Sequence, residues 1–146
     1  DTNARYIRIT VNGNTLNTYA SITEVSLNTV SISGSSNYYI GAAGDWGSAR
    51  NDNWEQTVDL MIDNKINLAL GLGDYSYGSV SEFEPVVDTL KAAGIPFKGV
   101  QGNHDSSSYA RLFGQPSMIH AFDAGQSRII MLNTEESYSA NTQFLN

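Results

Sequence analysis

Three glycine-bearing turns constrain this chain more than anything else in it. Gly44-Asp45-Trp46-Gly47, Gly73-Asp74-Tyr75-Ser76-Tyr77 and Gly102-Asn103-His104-Asp105 each follow an apolar run, at Tyr38–Ala43, Leu68–Leu72 and Ile95–Val100. Asp74 stands 29 positions after Asp45, and Asn103 stands 29 after Asp74. Between the runs the apolar spacing is helical: Trp54, Val58, Met61 and Ile62 share one face, and Phe83, Val86, Val87, Leu90 and Ala93 share another. Strand, helix, strand, helix, strand predicts βαβ units with right-handed crossovers and a sheet that is at least partly parallel. Such a sheet gathers ligands outside the carboxyl ends of its strands. Three polar turns at those ends predict a metal site.

Composition narrows the ligands and the partners. The 146 residues contain no cysteine, so disulfides and thiolate ligands are excluded and a metal must be held by oxygen and imidazole. A net charge of −7, with only eight scattered Lys and Arg, argues against nucleic-acid binding, because nothing neutralises a phosphate backbone. No apolar run approaches the length of a membrane span, and the N-terminus has no signal-like pattern. The start at Asp1 leads us to expect a processed product or a trimmed fragment.

The chain divides near residues 28–37. Residues 1–27 alternate as strands do, with Tyr6, Ile7, Ile9 and Val11 before a turn-rich loop and Ile22, Val25 and Leu27 after it. Residues 28–37 form a short strand or a linker, and 38–146 form an α/β unit. Asn51 to Asn53 offer caps for the first helix, Asn64 or Lys65 closes it, and Gly94 stops the second. After Asp105 comes a looser stretch with Tyr109, Leu112 and Phe113. Two strands then follow, Met118–Phe122 and Arg128–Leu132, joined by Asp123-Ala124-Gly125-Gln126.

The residue types suit phosphoryl chemistry. Carboxylates are hard anionic donors, and one set between two cations bridges them; Asn103 adds a neutral carbonyl oxygen. A two-metal centre polarises a phosphoryl group and yields hydroxide near neutral pH. His104 stands where it can donate a proton or a charged hydrogen bond to phosphate, and Asp105 is expected to orient its imidazole and raise its pKa.

The combined set GD-x-G, GD-x-x-Y and GNHD resembles the calcineurin-like metallophosphoesterases, and Tyr77 makes it similar to their purple acid phosphatase branch. The resemblance covers about residues 38–146, including Phe113-Gly114, Phe122–Gly125 and Met131–Glu135. It implies the N-terminal part of a β-sandwich flanked by helices, preceded here by a short all-β segment. It also implies a binuclear centre of Fe(III) with Fe(II), Zn(II) or Mn(II). Asp45 would bind the first metal, Asp74 would bridge both, Asn103 would bind the second, and Tyr77 would be a phenolate ligand to ferric iron. His104 would contact the substrate phosphate. The family completes its centre with three further histidines, two of them in a Gly-His-x-His turn. This chain has only His104 and His120. The expectation is therefore half a site, inactive alone, needing the rest of the domain or a partner chain.

Residues 1–27, from Ala4-Arg5-Tyr6-Ile7-Arg8-Ile9 to Ser21–Val25, resemble the closing strands of discoidin-like domains. That resemblance implies a secreted or cell-surface parent protein. It also keeps open a non-catalytic reading, in which a truncated phosphoesterase fold serves adhesion or assembly. Several residues have plainer readings. Trp46 and Tyr75 line a cleft or pack in a core; Tyr77 is a ligand or a half-buried aromatic. Ser48 and Arg50 touch phosphate or face solvent. His120 reads as an ordinary strand residue. Glu82, Glu84 and Asp88 read as a solvated helix face, and Glu135 and Glu136 as surface.

Overall fold

The computed structural model describes residues 37–47 and 53–137. The discoidin-like strands, most of the linker, Ser48, Arg50, the capping positions 51–52 and the chain after 137 lie outside the described residues.

The α/β expectation holds. Strands β1 (Ile40–Ala43), β2 (Leu68–Gly71) and β3 (Phe97–Gly99) form a parallel sheet in that order. Helix α1 (Asn53–Asp63) connects β1 to β2, and a 3-10 turn at Val80–Glu82 with helix α2 (Glu84–Ala92) connects β2 to β3. A short helix α3 (Tyr109–Leu112) follows. Strands β4 (His120–Ala124) and β5 (Ser127–Met131) then pair antiparallel in a separate sheet. The hairpin turn is confined to Gly125-Gln126, so β4 runs two residues past Phe122, and it begins two residues later than the apolar run suggested. The polar Asp123, expected in the loop, pairs with Arg128 inside the ladder. No helix among the described residues is long and apolar enough to cross a membrane.

The helices end as their sequences prescribe. Lys65, at φ 52°, receives the end of α1: its N–H donates to the Ile62 carbonyl and the Ile66 N–H to that of Met61. Gly94 plays the same part for α2, its N–H donating to Lys91 and that of Ile95 to Leu90. Both follow the Schellman pattern, which satisfies carbonyls the last helical turn would otherwise orphan. Val86, Val87 and Leu90 turn inward, while Ala93, expected on that face, is exposed because it caps the helix instead.

The core between sheet and helices is largely aromatic. Tyr75 is fully buried, with ring centroids 4.8 Å from Phe113, 5.0 Å from Phe83 and 5.0 Å from Tyr109. Trp46 is buried against Phe83 and Phe97, and its indole N–H donates to the Ala43 carbonyl, so Trp46 and Tyr75 both belong to the core. Tyr75 fits because Gly71 and Gly99, directly paired between β2 and β3, leave a slot under its ring. A Cβ would lie 2.4 Å from Tyr75 Cε1 at Gly71, and 2.2 Å from the Tyr75 hydroxyl at Gly99. The hydroxyl donates across the slot to the carbonyls of Val100 (2.5 Å) and Gly71 (3.0 Å). Burial then pushes its pKa well above the usual value, with the Asp105 charge adding to the rise. Because Tyr75 follows Asp74 directly, its burial fixes the turn that bears Asp74.

The outer edge of β3 is closed by a side chain. Gln115 is buried; its amide oxygen accepts the Gly99 N–H (3.1 Å) and its amide nitrogen donates to the Gly99 carbonyl (2.7 Å). The amide thus stands in for one residue of a neighbouring strand, leaving no bare buried backbone at Gly99.

Candidate metal centre

Parallel pairing in a β1-β2-β3 order brings the three polar turns to one rim. The Asp45 N–H donates to the Gly73 carbonyl (3.2 Å) and the Trp46 N–H to the Asp74 carbonyl (2.9 Å), which zips the first two turns together. Asp45 and Asp74 share the left-handed backbone conformation, at φ 52° and 53°. Among non-glycine residues Asp and Asn tolerate that region best, and such outliers concentrate at functional sites.

Asp105 fastens the third turn to the second. One carboxylate oxygen accepts N–H groups from Asp74 (2.7 Å) and Gly102 (2.8 Å), and the other accepts from Tyr75 (3.0 Å). Gly102 must be glycine here, since a Cβ would lie 2.3 Å from Asp74 Oδ1 and 2.6 Å from the Asp74 nitrogen. Half-burial raises the Asp105 carboxyl above its usual value, and the three N–H donors pull it part of the way back. The expected role of Asp105, orienting the His104 imidazole, is corrected by this geometry: its carboxylate serves backbone N–H groups of two loops. The need was legible in principle, because two glycine turns meeting at one rim present N–H groups that require an acceptor.

These staples leave a cleft of about 320 Å³ whose walls include Asp45, Asp74 and Asn103. Asp74 Oδ1 accepts the His104 backbone N–H at 3.1 Å. The Tyr77 hydroxyl lies 3.5 Å from Asp45 Oδ1, the outer limit of a hydrogen bond, and its ring meets the His104 imidazole at 4.6 Å. Desolvation of the hydroxyl first, and then the Asp74 and Asp45 charges, hold the phenol above its ordinary pKa. Asp45, Asp74, Asn103, Tyr77 and His104 thus gather at one rim. His120 does not: it is buried in β4, stacked on Phe122, and both its ring nitrogens lack hydrogen-bond partners.

The cleft also has a wall from the segment that follows β5, which the turn motifs do not reveal. Leu132, Thr134 and Glu135 line it, with Leu72 and Val100. Glu135, expected simply at the surface, is exposed yet faces this cleft. Buried Asn133 sets that wall: its side-chain oxygen accepts the Glu135 N–H (3.0 Å), and its amide donates to Gln101 Oε1 (3.4 Å) beside the third turn. The signal was the same strand-end position that marked Asp45 and Asp74, here after the run Ile129–Leu132.

What a cation would meet at this rim is mainly oxygen: the Asp45 and Asp74 carboxylates, the Asn103 amide and the Tyr77 phenol, with the Glu135 carboxylate also lining the cleft, a donor set suited to hard or borderline metals. Among the described residues no group of three or more His, Asp or Glu side chains comes together as a metal cluster.

A mixed α/β protein with an acidic, oxygen-lined cleft at the carboxyl ends of parallel strands is the class that fold and site define. Within that class, the calcineurin-like phosphoesterase family model matches residues 38–140, and the chain belongs to that family. The family consists of metal-dependent phosphoester hydrolases, generally with a binuclear centre. No curated protein and no solved structure matches the chain significantly.

Proposed function

We propose that this chain hydrolyses phosphomonoesters or phosphodiesters in the manner of purple acid phosphatases, at a binuclear centre to which it contributes Asp45, Asp74, Asn103 and Tyr77. One observation carries the reading: carboxylate and amide donors from three turns far apart in sequence line a single cleft. Asp45 and Tyr77 would hold a ferric first metal, Asp74 would bridge, and Asn103 would hold Fe(II), Zn(II) or Mn(II). Two cations bound there would polarise a phosphoryl group and lower the pKa of water toward neutrality. The protein's own part is positional: Asp105 fixes the turns, and exposed His104 on the rim offers a hydrogen bond to a phosphate oxygen. The phenol 3.5 Å from Asp45 supports the purple acid phosphatase assignment. The resemblance of residues 1–27 to discoidin-like strands supports a secreted or cell-surface setting, and the family's three further histidines would come from the remaining half of the domain or a partner chain.

The test is metal content with turnover of p-nitrophenyl phosphate and its bis-ester. Asp74→Ala should abolish metal binding in the complete protein, and iron-loaded protein should show a visible tyrosinate-to-iron band that Tyr77→Phe removes. Full metal retention by Asp74→Ala refutes the bridging role. A second reading, a non-catalytic extracellular module for adhesion or assembly, rests on the resemblance of residues 1–27 to discoidin-like strands. It predicts no bound metal and no turnover in the complete protein.

A further inference from the structure

The geometry points to Tyr77 as the residue that positions the His104 imidazole, a task separate from any bond its hydroxyl makes to a metal. The inference rests on the reading of His104 as the phosphate contact. His104 is exposed, so burial does not select its rotamer. Its backbone is fixed, since its N–H donates to Asp74 Oδ1 at 3.1 Å, but that bond leaves the side-chain torsions open. Asp105, the neighbour chemically best suited to hold an imidazole, has both carboxylate oxygens engaged with the N–H groups of Asp74, Tyr75 and Gly102. The group that does meet the ring is Tyr77, with centroids 4.6 Å apart and planes at 60°, an edge-to-face geometry that aromatic pairs prefer.

Tyr77 is itself held well enough to serve. The preceding Ser76 is buried, its hydroxyl donating to the Ser79 carbonyl (3.2 Å) and accepting the Gly78 N–H (3.0 Å), which clamps the backbone on both sides of Tyr77. At the far end of the ring the phenol reaches toward Asp45. Tyr77 therefore links the first turn, which carries Asp45, to the third, which carries His104. A ring in that place keeps the imidazole over the rim instead of letting it swing into solvent, and orientation of this kind is a recognised component of catalytic rate.

Two substitutions at this exposed position separate ring from hydroxyl. Tyr77→Phe keeps the ring and removes the phenol; Tyr77→Leu removes both. In the metal-free full chain, NMR of the imidazole protons should show a ring-current displacement for His104, identified by its loss in His104→Asn. The displacement should persist in Tyr77→Phe and vanish in Tyr77→Leu. With p-nitrophenyl phosphate at equal metal content, kcat of Tyr77→Leu should fall on the order of tenfold below Tyr77→Phe, with the smaller change in KM. Identical His104 shifts in all three proteins, or equal kcat for the two variants, would overturn the positioning role. Undiminished turnover in His104→Asn would instead sink the phosphate-contact reading, while the NMR comparison still decides whether Tyr77 holds the ring.

Discussion

The parallel sheet and the β4–β5 hairpin hold their strands by different means. In the hairpin, a two-residue connection at Gly125-Gln126 sets the register, and pairs from His120–Met131 to Ala124–Ser127 follow from it. In the parallel sheet each pairing joins segments about 28 residues apart, and no turn can set it. Side chains do so instead: Tyr75 in its slot of paired glycines, Gln115 on the β3 edge, Asp105 across the two loops. The parallel part therefore concentrates its specificity in a few buried polar groups, and those groups also shape the rim. A local turn can be made without building a site; here, register and site are made together.

That contrast can be broken at defined points. The largest effect should come from Asp105→Ala, which orphans three backbone N–H groups of two loops; we expect a loss of about 3 kcal/mol in urea denaturation, together with weakened metal binding. Equal stability to wild type would show that solvent replaces the carboxylate and that the loops are not held by it. Gln115→Ala uncovers the buried Gly99 N–H and carbonyl and should cost about 2 kcal/mol. Protection of the Gly99 amide against hydrogen exchange should fall in the same variant, while hairpin amides keep theirs. Tyr75→Phe preserves the ring in its slot and removes only the hydroxyl donor, so about 1 kcal/mol is expected. A much larger loss there would mean that the Val100 and Gly71 carbonyls depend on it.

The smallest effect lies in the hairpin and depends on pH. Burial first, and the Lys98 charge second, lower the His120 pKa below its ordinary 6.5. A lowered folded value means that the native state resists protonation. The His120 contribution is therefore intact above the unfolded pKa and is lost as pH falls from there toward the folded pKa. Between about pH 7 and about pH 5 wild type should lose more stability than His120→Leu, since comparison of the two cancels the other titrating groups. Parallel pH profiles would show that His120 is hydrated in the native state.

How legible the molecule was varies with the kind of force involved. Both longer helices and all three parallel strands could be anticipated because apolar spacing reports the face each element buries, and Lys65 and Gly94 close their helices by local backbone conformation. The start of β4 differs from that of the apolar run because Met118 and Ile119 are apolar without being paired: Met118 is buried before the strand starts. Sequence adjacency points Asp105 to His104, whereas its partners include Asp74 and Tyr75, 31 and 30 residues away. Glu135 is at the surface as expected, but its place at the cleft is not legible in sequence, since it depends on the tether from Asn133 to Gln101, 32 residues apart.

The sequence by itself determined the α/β alternation, the three turns at strand ends and hence the family, because periodicity and glycine-flanked polar residues are local properties of the chain. Tertiary structure alone decided that Asp105 staples loops, that Tyr77 meets His104, that Trp46 and Tyr75 belong to the core, and that the segment after β5 supplies a wall of the cleft. Each of these is a pairing between groups distant in the chain. Which donor finds which acceptor is settled only when packing has fixed the distances between them.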